Sequence, residues 1–257
     1  MCRHLAYLGP PATLRSVIID PPHGLYRQAW APRRQRHGTV NADGFGVGWY
    51  ASGDPDPVRY RRAEPIWGDE SFADVSRVTR SAAVLAAVRC ATAGTALGPA
   101  SVAPFTSGPW LFSHNGVIAG WPSSAGGLAA TLPAEVLLGL EARVDSALLW
   151  ALVRHRLDRG LAPAQALAGT VAALRDSGVT GRFNFLLTDG QLIAATAAGD
   201  TLFFRHSGPA VVVASEPGDD EPGWAEVPDD SVLTATAGHA TVAPLAEVPS
   251  NGRIALS

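Results

Sequence analysis

Cys2 is where chemistry could begin in this chain. Methionine removal is expected in front of a small second residue such as cysteine, and it leaves a thiol and an α-amine on one residue. A free thiol titrates near about 8.5 and an α-amine near about 7.7–8.0, so proton transfer between them costs only ~1 kcal/mol or less. Such a residue can be nucleophile and base together. Taken alone, a cysteine at position 2 is also what chance composition produces. Asn115-Gly116, in the run Phe112-Ser113-His114-Asn115-Gly116, is the second candidate. A side-chain amide beside a glycine N–H on a tight turn can hold an oxyanion; the same dipeptide can equally be a plain type I′ turn. Arg89 is the third. It ends an apolar run, where a charge is costly unless paired, either with an internal carboxylate or with that of a ligand held in a bidentate fork. Asp145, at a helix start, could cap that helix or bind an ammonium group, and the two roles can coexist.

Composition removes several other chemistries. All 20 basic residues are arginine. Without lysine there is no Schiff-base lysine, no pyridoxal-phosphate lysine and no P-loop lysine. Cys2 and Cys90 are too few for a disulfide framework or a cysteine-rich zinc site. The seven histidines show no metal-binding spacing, so neither a metal nor a cofactor is expected. A net charge of -3 gives no electrostatic footprint for nucleic acid. No apolar run reaches the roughly 18–20 residues of a membrane span, and the N-terminus carries no signal-peptide pattern. The expected partner is a small molecule and the expected location cytoplasmic; the oligomeric state stays open.

The elements that must position these residues are partly legible. Residues 4–9 form a strand that Pro10 and Pro11 should stop, and 14–19 a short helix. An arginine-rich loop occupies 31–42, with Arg33, Arg34 and Arg36 on an access loop or simply facing solvent. The glycine–apolar alternation of 44–50 predicts a strand approached closely by other backbone; its G-x-G-x-G spacing lacks the dinucleotide context. Strands are expected over 82–90 and 110–114, the latter turning at Asn115-Gly116. Helices are expected over 133–140, 145–159 (capped by Asp145 or Ser146) and 162–174, with Pro163 in its first turn. Strands then follow over 183–188, 192–196, 201–205, 211–214 and 232–236, the first two joined by an Asp189-Gly190 hairpin. Strands, then helices, then strands indicate an α+β protein with mostly antiparallel sheet. A single domain over 2–257 is expected, with a disordered tail after about 249.

Cys2, Arg89-x-Ala91-Thr92-x-Gly94, His114-Asn115-Gly116 and Asp145-Ser146 occur in the order seen in class II glutamine amidotransferases, members of the N-terminal-nucleophile hydrolases. Met1-Cys2-Arg3-His4-Leu5, Asp20-Pro21-Pro22-His23, the 41–50 segment and Ser215-Glu216-Pro217 more narrowly resemble the γ-glutamyl hydrolases of actinobacterial ergothioneine biosynthesis. The resemblance implies a four-layer αββα sandwich and an oxyanion hole at Asn115 and Gly116. It also implies a carboxylate clamp at Arg89, an ammonium partner at Asp145 and an orienting role for Thr92. The implied substrate is γ-glutamyl-hercynylcysteine sulfoxide, with Trp30, Trp49, Trp110 and Trp121 near enough to offer its trimethylammonium group an aromatic face. Many class II domains carry tryptophan after the motif arginine and histidine after the motif threonine. Cys90 and Ala93 stand there, which fits a leaving group bulkier than the NH2 of glutamine. Two other readings are a hydrolase of another γ-glutamyl amide or of glutamine, and a non-catalytic binding protein.

Overall fold

The computed structural model describes residues 2–91 and 95–249. The Thr92-Ala93-Gly94 part of the arginine motif and the expected disordered tail lie outside the described residues. In chain order the elements are β1 (Arg3–Thr13), α1 (Leu14–Ile18), α2 (Leu25–Gln28), β2 (Phe45–Trp49), β3 (Val58–Arg62), α3 (Glu70–Val78), β4 (Arg80–Val88), β5 (Phe105–Ser107) and β6 (Trp110–Ile118). The helices α4 (Gly126–Ala129), α5 (Ala134–Leu138), α6 (Asp145–Asp158) and α7 (Pro163–Asp176) follow. The chain then returns to strands: β7 (Gly181–Thr188), β8 (Ile193–Ala197), β9 (Phe203–Ser207), β10 (Ala210–Ala214), β11 (Ala225–Glu226), β12 (Ser231–Thr236) and β13 (His239–Pro244).

The strands form two antiparallel sheets, ordered β11-β9-β10-β1-β4-β2-β3 and β13-β12-β8-β7-β6-β5 among the described residues. Strand alternation makes each sheet two-faced. Ala6 and Leu8 of β1, Ala83 and Leu85 of β4, Leu111 of β6 and Leu186 of β7 meet between the sheets. The opposite faces are covered by helices. Leu5, Tyr7, Val84 and Ala86 pack with Leu14 of α1, Leu25 of α2 and Phe72 of α3. Phe112, Phe185 and Leu187 pack under Leu149 of α6 and Leu167 of α7. The result is the αββα sandwich. Each central leucine carries about 2–5 kcal/mol against truncation to alanine.

Two glycines let the sheets close. A Cβ on Gly46 would lie 2.1 Å from the Ala103 carbonyl oxygen, and one on Gly48 2.6 Å from Leu111 Cδ1. The close approach expected for this strand is therefore present. Three local expectations are corrected. β1 runs through Pro10 and Pro11 to Thr13. The prolines sit where its register with β4 breaks, between Leu8 and Ala12, so no ladder N–H is demanded of them. Asn115-Gly116 is no turn: both residues lie inside β6, opposite Asn184 and Phe183 of β7. Finally, the N-cap position of α6 falls on Val144, which makes no side-chain bond, and Asp145 is the first residue inside the helix.

Candidate active site

The alternation that buries Ala6 and Leu8 between the sheets sends His4, and beyond it Cys2, to the same face at the end of β1. His4 Nδ1 lies 3.1 Å from Ser113 Oγ of β6, which ties β1 to the opposite sheet. Two residues along β6 from Ser113, Asn115 points into the same space. It is fully buried, its Nδ2 lies 3.5 Å from Ser215 Oγ, and its Oδ1 has no partner among the described residues. Ser215 Oγ also accepts the His4 N–H at 3.1 Å.

β4 delivers Arg89. Its backbone continues the ladder past the end of the strand, with Arg89 N–H donating to Gly44 O at 2.8 Å and Arg89 O accepting from Asp43 N–H at 2.9 Å. By the alternation of Ala83 and Leu85 its side chain joins the inter-sheet face. It is 7 % exposed. Nη2 donates to Thr95 Oγ1 at 3.2 Å and to Ala96 O at 3.0 Å, while the buried Nη1 finds no partner among the described residues. The bonds it makes go to neutral oxygens, and the internal salt bridge left open above has no counterpart among the described residues. A buried guanidinium in that state is suited to an incoming carboxylate.

Asp145 starts α6. Its Oδ2 accepts the Ile118 N–H at 3.0 Å and its Oδ1 the Ser146 N–H at 2.8 Å. The first bond matters for Gly116. Among the described residues β5 pairs β6 only over Trp110–Phe112, leaving the rest of that edge without a strand neighbour. Because alternate N–H groups point to opposite edges, the geometry that turns Ile118 N–H toward Asp145 turns Gly116 N–H to the same open edge. Gly116 has a φ of 158°. A Cβ there would fall 1.9 Å from Arg182 O and 2.6 Å from His114 Nε2, so only glycine fits.

The electrostatics join these pieces at Cys2. The residue keeps some solvent contact, yet burial pushes its thiol up; the Cys90 backbone N–H and Arg89 oppose that, and Asp145 reinforces it. Both histidines nearby are held neutral. Burial, then His114 and Arg3, push His4 well below its ordinary value. Burial also lowers His114, whose Nδ1 lies 3.0 Å from Ser146 Oγ and whose Nε2 lies 2.9 Å from Arg182 O.

Cys2, Arg89, Asn115 and Asp145 therefore gather at one end of the inter-sheet space, with Gly116 beside them. Trp49 and Trp110 do not. Trp49 pairs with Val84, four residues along β4 from the Val88 that neighbours Arg89, a separation of roughly 13 Å. Trp110 begins β6, at the far end from Asn115. Trp30 packs edge-on against Tyr26 and Trp67. His4, Ser113, His114, Ser146 and Ser215 belong to the same cluster and were missed in the sequence. They lie within the quoted motif segments, but no site role was read from them. Among the described residues there is no cluster of three or more metal-ligating side chains, and no helix is long and apolar enough to cross a membrane.

The sequence matches the family described as glutamine amidotransferases class-II over residues 25–210. It is similar to the gamma-glutamyl-hercynylcysteine sulfoxide hydrolase of Mycolicibacterium smegmatis, with 44% identity over 95% of this chain and 100% of that protein. The protein of the same description from Mycobacterium tuberculosis H37Rv is 41% identical over 95% of this chain and 97% of its own length. Among solved structures, a glutamine aminotransferase class-II domain protein from Silicibacter pomeroyi superposes with a TM-score of 0.70 at 26% identity, covering 95% of this chain and 99% of that one.

Proposed function

This chain belongs to the class II glutamine amidotransferase family, and from that premise we propose that it hydrolyses the γ-glutamyl amide bond of γ-glutamyl-hercynylcysteine sulfoxide. The products are glutamate and hercynylcysteine sulfoxide, an ergothioneine-pathway step. The substrate rests on the likeness to the mycobacterial hydrolases. The glutamyl half rests on one observation above all: a buried Arg89 guanidinium with an unpartnered Nη1, close enough to Cys2 to act on its thiol.

In the proposed course, loss of Met1 frees the Cys2 α-amine, which takes the thiol proton. The thiolate attacks the γ-carbonyl carbon. An S–C bond forms and the carbonyl π pair moves onto oxygen, where Asn115 Nδ2 and Gly116 N–H receive it. Arg89 forks the glutamyl α-carboxylate and Asp145 takes the α-ammonium; Thr92 is proposed to orient the same group. The oxyanion collapses, the C–N bond breaks, and the proton held by the α-amine passes to the departing nitrogen. Water then attacks the glutamyl thioester, gives its proton back to Cys2, and releases glutamate. The thiol that burial holds protonated at rest fits a nucleophile activated only when a base reaches it.

The test is product analysis with the sulfoxide beside glutamine. The sulfoxide is expected to be the preferred source of glutamate, and Cys2→Ala to abolish release while keeping the fold. Glutamine as the better substrate would overturn the substrate assignment. Turnover by Cys2→Ala would overturn the nucleophile.

A further inference from the structure

Behind Cys2 lie two buried residues of opposite charge, Arg3 and Glu216, that the reaction does not use. Arg3 is 0 % exposed, and its Nε, Nη1 and Nη2 are without hydrogen-bond partners among the described residues. Its cross-strand neighbour is Glu216: the β1–β10 register pairs Leu5 with Ala214, and Ser215 N–H then donates to His4 O at 2.9 Å. Burial disfavours the Arg3 charge, and Glu216, then Asp200, restore it. Glu216, 1 % exposed, spends its two oxygens elsewhere. Oε1 accepts Arg33 N–H at 2.9 Å and Oε2 accepts Arg34 N–H at 2.6 Å.

Those two N–H groups open the arginine-rich segment, and its path can be followed from bond to bond. Arg33 Nη1 reaches Asp220 at 2.7 Å. Arg36 lines a small cavity of about 70 Å³ with Asp200, Glu226 and Asp229. Gly38 passes Cys90, where an added Cβ would lie 3.7 Å from Sγ. Buried Asn41 anchors the far end through Gln28 O at 2.9 Å and Gln35 Oε1 at 3.0 Å. Asp43 then joins Arg89 by its backbone and accepts Ala91 N–H at 2.7 Å. The segment thus crosses the end of the sandwich beside the residue whose N–H touches the Cys2 thiol. The Arg89 side chain turns the other way, toward Thr95 and Ala96. With the glutamyl end held there, the portion of substrate left to face this segment is the leaving group.

We propose that residues 33–40 are a strap that selects the leaving group, and that Glu216, the cross-strand neighbour of Arg3, is the positioning residue that latches it. This rests on the γ-glutamyl hydrolase reading above. Two carboxylate-to-backbone bonds hold the strap, and its arginines land on an acidic shelf, so their role is anchorage. Glutamine, whose leaving group is only NH2, has nothing for the strap to recognise.

The test compares kcat/KM for the sulfoxide and for glutamine, with tryptic cleavage after Arg33, Arg34 and Arg36 as a direct readout of strap position. Glu216→Ala should lower kcat/KM for the sulfoxide about 10–100-fold, the equivalent of about one of its two charge-assisted hydrogen bonds. The value for glutamine should not change, and cleavage within the strap should accelerate. Glu216→Gln, which keeps an acceptor oxygen, should recover part of the selectivity. A parallel fall for both substrates, or an unchanged cleavage rate, overturns the latch. Should Glu216→Ala not fold, the surface double variant Asp220→Ala, Glu226→Ala, which removes acidic partners of Arg33 and Arg36 while keeping all three cleavage sites, decides. A reduced sulfoxide-to-glutamine ratio with faster cleavage supports the strap, and wild-type values of both overturn it. Wild-type enzyme that ignores the sulfoxide refutes the substrate reading instead. The strap is then tested with γ-glutamyl-p-nitroanilide as the bulky substrate, to the same criteria.

Discussion

Gly116→Ala offers the sharpest geometric test of the site. At φ 158° the added methyl lies toward β7, 1.9 Å from Arg182 O. Cβ atoms do not approach carbonyl oxygens much closer than 3.0 Å, so β6 or β7 must retreat by about 1.1 Å. β7 is paired on both sides and backs onto the α7 layer, which leaves β6, with its open edge, as the strand that moves. Asn115 and Gly116 then leave their positions relative to Cys2 together. A displacement of that size in a reacting geometry costs on the order of 10²-fold in rate, and the overpacking costs about 1–3 kcal/mol of stability. The assay is initial-rate glutamate release at saturating substrate, with the denaturant midpoint measured in parallel. A folded Gly116→Ala enzyme with wild-type kcat would refute the placing of the oxyanion donors on this stretch of β6.

Arg89→Ala should raise KM far more than it lowers kcat, because it removes the carboxylate fork; unchanged kcat/KM would remove the clamp from the reading. Asn115→Ala should lower kcat by roughly 10²–10³ with KM little altered, checked by the same rate assay. Stability should fall on acidification. His4 and His114 both have folded-state values below their ordinary 6.5, so the unfolded chain binds protons first. The stability they confer is present above about 6.5 and is lost as pH falls below it, with a slope of up to ~1.4 kcal/mol per pH unit for each histidine. Urea midpoints between pH 7.5 and 5 measure it, and His4→Gln should flatten part of the slope.

The elements legible in sequence were those whose signal is local and apolar. The runs that became β4, β7 and β10 and the stretches that became α6 and α7 declare themselves by hydrophobicity and by flanking turn residues. The failures have physical causes. Asn115-Gly116 carries the strongest short hairpin signal, yet Gly116 is there because any side chain would overlap the Arg182 carbonyl. β3, with the sequence Val58-Arg59-Tyr60-Arg61-Arg62, is a partly exposed edge strand whose arginines pair with Glu141 and Asp69, so no apolar run marks it. α3 did carry a readable start, Asp69 capping Phe72 N–H at 3.0 Å, and it was overlooked. Within the site, Cys2, Arg89, Asn115 and Asp145 are far apart in the chain, and residue chemistry alone left each ambiguous; the family resemblance joined them. Arg3, His4 and Glu216 lie in segments that carried the resemblance, but nothing local marked their burial, which depends on partners distant in the chain.

The histidines also bear on which group serves as base. His4 lies on the same face of β1 as Cys2, which invites an ordinary cysteine–histidine pair. The proton balance argues otherwise. From ordinary values, moving a proton from a thiol near 8.5 to an imidazole near 6.5 is uphill by about 2.7 kcal/mol. Burial then raises Cys2 and lowers His4, so the gap widens in both terms. A free α-amine near 7.7–8.0 leaves a gap of ~1 kcal/mol or less before burial acts, and it sits on the nucleophile itself. His4 Nδ1 is moreover engaged with Ser113, as expected of a strut between the sheets. The proposed course therefore requires Cys2 as the first residue. An enzyme carrying a permanent extension before Cys2 should fold normally and release no glutamate, and removing the extension by a protease that leaves Cys2 N-terminal should restore turnover. Full activity with the extension in place would return the base to a histidine.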